Sequence, residues 1–206
     1  KQILKVCPKK PVSFEVFADD QKSMIEQGKK INTWGKNVYV KVPVVNSKNK
    51  FMGSVIKELN KQNIKLNLTA VYSANQTKRI LKVINKKTRV IISIFAGRAG
   101  DAGKDPVPEF IKCIKLAKRF KNVEILWASV REPYNYLQAK QLGCHIITIP
   151  PSIIEKIEKF GKSQFSKFNP GMFNATVDSG FGQKETVVDL KKILMRKPLS
   201  KAPIGE

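Results

Sequence analysis

The sequence predicts an α/β protein built on a parallel sheet, and three observations carry the prediction. Runs rich in β-branched and apolar residues recur at a steady interval, at residues 12–17, 38–43, 65–70, 90–95, 123–128 and 145–149. Helix-like stretches alternate with them, at residues 21–33, 50–62, 74–85, 108–120, 134–142 and 152–160, with connections short enough to require parallel crossovers. Polar and reactive side chains then gather at the C-terminal ends of the strand-like runs: Glu15, Lys41, Asn67 with Thr69, Ser93 with Arg98, and Ser129 with Arg131.

Residues 1–6 read as the last turns of an amphipathic helix. In the first strand, Val12-Ser-Phe-Glu-Val-Phe17, alternation puts Ser13, Glu15 and Phe17 on one face. A carboxyl among apolar neighbours is a candidate proton shuttle; it is equally a salt-bridge partner for a buried lysine. The second strand, Asn37-Val-Tyr-Val-Lys-Val-Pro-Val44, holds that lysine. Desolvation disfavours the charged form, and a lysine brought down to roughly 7–8 is a nucleophile toward carbonyls. Lys41 is therefore the candidate Schiff-base residue; the competing reading is a strand-end lysine whose ammonium reaches solvent. In the third strand Asn67 and Thr69 are two residues apart and share a face, as pocket ligands or as strand filler. Arg98 and Arg131 follow the fourth and fifth strands, where they are phosphate forks or solvated loop residues. Two helix starts are expected: Asp105-Pro106, and Pro151-Ser152 with Glu155 at capping-box spacing. Gly143 suits a left-handed C-terminal cap.

Either a doubly wound sheet or a barrel fits this alternation. No GxGxxG or P-loop follows the first strand, and many strand ends contribute to one candidate site, which favours a (β/α)8 or TIM barrel. Six strands are counted and eight are needed. Two strands, within about 40 residues, are therefore expected before Lys1, a start that is lysine and not methionine. The domain expected is an incomplete barrel over residues 1–160. Residues 161–206 break the rhythm: residues 165–181 have no period, residues 184–194 read as a helix, and a loose tail follows.

Composition narrows the function classes. The formal net charge is +23, from 39 Lys and Arg against 16 Asp and Glu, yet six of the 39 are arginine and the lysines are spread along the whole chain. That pattern lacks the arginine forks, aromatic-glycine motifs and zinc spacings of nucleic-acid readers, so no nucleic-acid partner is expected; a positive field also attracts anionic sugar phosphates. Cys7, Cys113 and Cys144 have no disulfide or zinc spacing, and the latter two read as small core residues of a protein from a reducing cytoplasm. No apolar run reaches the roughly 18 residues of a membrane span, so no membrane partner is expected. His145, the single histidine, reads as structural, and no metal site is expected.

Taken together, the motifs resemble those of the transaldolases. The matching segments are residues 37–43, Leu66-Asn-Leu-Thr-Ala-Val-Tyr72 with Gln76, Ile92-Ser-Ile-Phe-Ala-Gly-Arg98 with Asp101, Ile125-Leu-Trp-Ala-Ser-Val-Arg131, and Gly143-Cys-His-Ile-Ile-Thr-Ile-Pro150. They stand in order over about residues 11–160. The resemblance implies a (β/α)8 barrel that moves a dihydroxyacetone unit between sugar phosphates in the pentose phosphate pathway. It implies a lysine Schiff base, without metal or cofactor. It places Lys41 at the Schiff base and Glu15 at proton transfer through a water. It places Asn67 and Thr69 on that water and the substrate, and Ser93 on a substrate hydroxyl. Arg98, Ser129 and Arg131 fall at the phosphate, and Phe95 in the pocket. The related fructose-6-phosphate aldolases typically carry glutamine and tyrosine where this chain has Glu15 and Phe95, so the pair favours transaldolase.

Two departures stand beside the resemblance. The family's acid/base aspartate and its Thr-Thr-Asn-Pro motif do not occur in the chain, and both are expected upstream of Lys1. The region after Phe160 does not follow the family's final helix. The alternatives kept open are a fructose-6-phosphate aldolase, an inactive fragment, and a basic nucleic-acid-binding protein. The sequence does not set the oligomeric state, and a homo-oligomer stays open.

Overall fold

The computed structural model describes residues 2–159, 174–177 and 186–188. A short helix, α1 (Gln2–Val6), leads into strict alternation: β1 (Val12–Glu15), α2 (Gln21–Asn32), β2 (Val38–Pro43), α3 (Gly53–Lys61), β3 (Leu66–Val71), α4 (Ala74–Leu81) and β4 (Val90–Phe95). A six-residue helix α5 (Ala96–Asp101) and α6 (Val107–Ala117) precede β5 (Val123–Ala128), α7 (Tyr134–Gln141), β6 (Ile146–Ile149) and α8 (Pro151–Lys159). Two more strands, β7 (Asn174–Val177) and β8 (Thr186–Val188), complete one sheet in the order β1 to β8.

Strand order and burial decide between the two folds that the alternation allows. A doubly wound sheet reverses its strand order at a switch point and carries helices on both faces. Here the order never reverses, and β1 through β7 pair in parallel. Among the described residues the helices pack on one face. Val38, Val40 and Val42 of β2, Val90, Ile92 and Ile94 of β4, and Val123, Ile125 and Trp127 of β5 share one buried cluster with the helix residues Met24, Ile56, Leu59, Ile80, Phe110 and Ile153. The alternate residues Tyr39, Ile91, Leu126, Ala128 and Ile146 form a second, smaller cluster on the opposite face. The six expected parallel strands therefore form a singly wound half-barrel, consistent with part of a (β/α)8 barrel, with that second face as its inner one.

The boundaries follow local chemistry. Asp20 caps α2 by accepting from the Ser23 N–H at 2.9 Å. Asp105 accepts from the Val107 N–H at 2.9 Å and opens α6, as expected. Gly143 follows α7 with φ +74, the left-handed cap that its sequence position suggested. The capping box expected at Ser152 is not formed, because α8 already begins at Pro151, where a missing N–H costs nothing. A complete capping box sits instead at Ser73 and Gln76, opening α4. The helix expected over residues 50–62 starts later, since Phe51 forms a β-bridge with Val45.

Three further expectations change. The first strand ends at Glu15, and Phe17 stands 91% exposed, so it does not line the inner face with Ser13 and Glu15. Residues 174–177, inside the stretch without a period, extend the sheet as β7. Residues 186–188, inside the helix expected over 184–194, form β8 antiparallel to β7; Thr-Val-Val is a β-branched run, which packs better on a pleated surface than in a helix. The tail expected over residues 197–206 lies outside the described residues.

Candidate active site

The register of the first three strands creates the site. Glu15 pairs with Lys41 across β1 and β2, and Lys41 pairs with Asn67 across β2 and β3. Three polar side chains thus stand in one row on the inner face, because parallel strands keep equivalent residues on one face. Lys41 Nζ lies 3.3 Å from Glu15 Oε2. The burial that the valine-rich strand implied is partial: the lysine side chain keeps 24% of its exposure and that of Glu15 44%. The inner face here is a rim, and the salt-bridge reading of Glu15 holds together with its place beside the lysine.

Next to the ion pair is a fixed amide. Asn67 is buried, donates from Nδ2 to Ser13 Oγ at 3.0 Å, and accepts at Oδ1 from the Ser93 hydroxyl at 2.7 Å. Both ends of the amide are satisfied, so its orientation is set by the network. The hydroxyl of Ser93 is spent on Asn67 in this state. Thr69 is 2% exposed and its Oγ1 has no protein partner. A buried hydroxyl left unpartnered costs on the order of 1–3 kcal/mol, so it marks a place where a water or a ligand oxygen is wanted. Directly after it Ala70 has φ +56, at a register shift between Leu68 and Val71. A bulge at a strand end re-aims its neighbours, and such outliers gather at functional sites.

Arg98 and Arg131 lie beyond the C-terminal ends of β4 and β5, the end of the sheet that also carries Lys41. Their loops touch. A Cβ on Gly97 would meet the Ser129 carbonyl oxygen at 1.9 Å and Arg131 Cγ at 2.7 Å, so only glycine fits there. The Arg98 N–H donates to Ser129 Oγ at 3.2 Å, and Ser129 itself has φ +63. The Arg98 guanidinium sits 5.0 Å from the Phe95 ring, and that ring meets Tyr72 edge-on at 5.8 Å. The structure thus brings Phe95, Arg98, Ser129 and Arg131 into one loop pair, and Glu15, Lys41, Asn67 and Ser93 into one row, with Thr69 beyond it on β3.

Asp101, which stands in the Arg98 motif but was not among the expected site residues, holds Arg131. Arg131 Nη2 lies 2.7 Å and Nε 3.2 Å from Asp101 Oδ2. The bond from Arg131 keeps the Asp101 carboxyl below its usual range, and the same bond raises the guanidinium further above neutrality. The fork is therefore pre-shaped by a carboxylate. Local spacing gave no signal for it, since α5 is six residues long and Arg131 lies 30 residues further along the chain.

The remaining residues singled out in the sequence lie outside this row and loop pair. His145 is exposed at the start of β6, and its Nδ1 accepts the Ile125 N–H at 3.1 Å, which extends the ladder between β5 and β6. Burial pushes the Cys113 thiol up to about 11 and the Cys144 thiol up to about 12, as suits inert core cysteines.

A singly wound parallel half-barrel with a lysine–carboxylate pair on its inner rim is an architecture of barrel enzymes that work from strand ends. The family model described as Transaldolase/Fructose-6-phosphate aldolase matches residues 1–197, and the chain belongs to this family. Among its relatives, the probable transaldolase of Sulfurihydrogenibium sp. (strain YO3AOP1) is 37% identical over 162 residues, covering 77% of this chain and 70% of its own length. That of Nitrosopumilus maritimus (strain SCM1) is 34% identical over 76% of this chain and 70% of its own. That of Thermoplasma volcanium is 34% identical over 79% and 70%.

Proposed function

We propose that this chain carries the Schiff-base machinery of a transaldolase. In this reading it moves a dihydroxyacetone unit from a ketose phosphate, sedoheptulose 7-phosphate or fructose 6-phosphate, to an aldose phosphate within the pentose phosphate pathway of the cytoplasm. The observation that carries it is the row Glu15–Lys41–Asn67, with the amine 3.3 Å from a carboxylate. The ammonium passes a proton to Glu15 and becomes a nucleophile. Its nitrogen attacks the C2 carbonyl, and the proton that the nitrogen then releases passes to the carbonyl oxygen to give a neutral carbinolamine. Protonation of that hydroxyl by the Glu15 carboxyl expels water and leaves the iminium. The unpartnered Thr69 hydroxyl suits a water that relays these protons, and Ser93 and Asn67 suit substrate hydroxyls. Arg98, Ser129 and Arg131 suit the phosphate, with Phe95 as a pocket wall. The resemblance gives the later C3–C4 cleavage to an aspartate that residues 1–206 do not contain, so the steps assigned to these side chains end at the iminium. We read the half-barrel as six strands of a (β/α)8 barrel, with residues 1–160 as its body.

Borohydride reduction in the presence of fructose 6-phosphate tests the reading. A three-carbon adduct on the Lys41 peptide is expected; a label on another lysine, or labelling that survives Lys41→Met, would sink it. Fructose-6-phosphate aldolase is the second reading. A coupled assay separates the two, since release of free dihydroxyacetone without an aldose acceptor favours the aldolase.

A further inference from the structure

At the end of the sheet away from Lys41, the turns entering β4, β5 and β6 border a half-open cavity of about 720 Å³. That volume is in the range of small-molecule sites, roughly 300–1,000 Å³. Lys86, Lys87, Arg89, Lys118 and Lys121 line it, and Glu124 is its single carboxylate. Five of its thirteen lining residues are Lys or Arg, against 39 of 206 in the chain, so the cavity is about twice as basic as the protein around it.

Among these five cations stands one carboxylate, Glu124, and none of the five is held in an ion pair among the described residues. The ion pairs among the described residues join Lys41 to Glu15, Lys112 to Glu109 and Arg131 to Asp101, and none involves the cavity. Two loops bring the charges together, Lys86, Lys87 and Arg89 before β4 and Lys118 and Lys121 before β5, and the Asn122 amide ties the two by donating to the Asn85 and Thr88 carbonyls at 3.0 and 2.7 Å. The floor is apolar, with Ile114, Val123 and Phe120, and the Lys86 ammonium lies 5.8 Å from the Phe120 ring. His145 also lines the cavity, with its Nδ1 accepting the Ile125 N–H. Like charges converging in a concavity raise the local concentration of a matching anion. A nucleic acid calls for an extended basic stripe; a half-open pocket of this size suits a compact ligand.

We propose that this cavity binds a small polyphosphate, a chain of two or more linked phosphates, free or borne on an organic group. A single phosphate would engage only part of the cation set, because its five members are spread over two loops. The site shares no residue with the candidate active site.

Isothermal titration of the full chain without divalent metal tests this with inorganic tripolyphosphate, ATP, AMP and inorganic phosphate. Tripolyphosphate and ATP should bind at least tenfold more tightly than phosphate and AMP. That affinity should fall at least tenfold in Lys118→Glu/Lys121→Glu, with borohydride labelling of Lys41 unchanged. Lys86→Ser/Lys87→Ser, on another loop, should weaken binding in the same direction and guards against misfolding of the first variant. Arg131→Ala should leave tripolyphosphate binding unaltered. Tighter binding of ATP than of tripolyphosphate would support the site with a nucleoside-borne chain, and equal affinities would support it with the bare chain. No preference for linked phosphates, affinity indifferent to both lysine variants, or loss in Arg131→Ala would overturn the proposal.

Discussion

In β2, Val38, Val40 and Val42 face the helices and are wholly buried, while Tyr39, Lys41 and Pro43 face the other way. The same division runs through β4, where Val90, Ile92 and Ile94 join the large helix-covered cluster and Ser93 joins the Asn67 network. The helix-covered face is apolar and interchangeable in detail, since its stabilisation follows area and packing. The inner face near the strand ends is polar, paired residue by residue, and leaves one buried hydroxyl unsatisfied. One face should thus control whether the protein folds and the other what it does, and substitutions on the two faces should separate stability from chemistry.

The largest expected effect is on chemistry. Lys41→Met should cost turnover on the order of 10³-fold or more, the scale seen when a covalent nucleophile is removed. Its unfolding free energy in urea should move by less than about 1 kcal/mol, because both partners of the ion pair are partly exposed. A large loss of stability would show that the pair is structural. Trp127→Ala should do the reverse. Trp127 is fully buried and stacked on Phe110 at 4.3 Å, so about 3–5 kcal/mol of stability should be lost. Lys41 should still label wherever the variant remains folded.

Thr69→Val sharpens the contrast inside the inner face. It keeps the shape and removes a buried hydroxyl that has no protein partner. Stability should hold or rise by up to about 1 kcal/mol, while turnover falls about 10–100-fold. Unchanged turnover would return Thr69 to strand filler. The smallest effect belongs to the helix layer. Glu109 accepts from Lys112 Nζ at 2.8 Å and from the Ala74 N–H at 2.6 Å, and these bonds, the lysine's first, hold its carboxyl below the usual range. A depressed folded pKa contributes stability that is present above the unfolded pKa and lost as pH falls through the folded one. Glu109→Ala should therefore cost about 1 kcal/mol near pH 7, with the difference shrinking as the pH drops below the ordinary carboxylate range. A pH-independent difference, followed by urea unfolding, would assign the effect to packing alone.

Much of this was legible along the chain. The strands are continuous β-branched runs, and a charge inside such a run, as at Lys41 and Glu15, stands out because desolvation is costly. Other features left weaker marks. The box Ser73-Ala-Asn-Gln76 was readable by its spacing, whereas α5 is too short for periodicity to mark it. Ser152 and Glu155 had a box's spacing, yet the box is not formed because Pro151 starts the helix one residue earlier.

The sequence by itself determined the alternation of elements, the apolar stripe of each helix, and which residues carry reactive groups. These follow from side-chain period and solvation, which act locally. Register, the single winding of the sheet, the partial exposure of Lys41, the tie between Asp101 and Arg131 and the Thr186–Val188 strand were decided by the tertiary structure. Each depends on residues distant in the chain: Glu15 meets Lys41 only because two strands pair in one register, and Gly97 must be glycine only because the Ser129 carbonyl lies against it. Local propensity has no term for a neighbour that folding alone brings near.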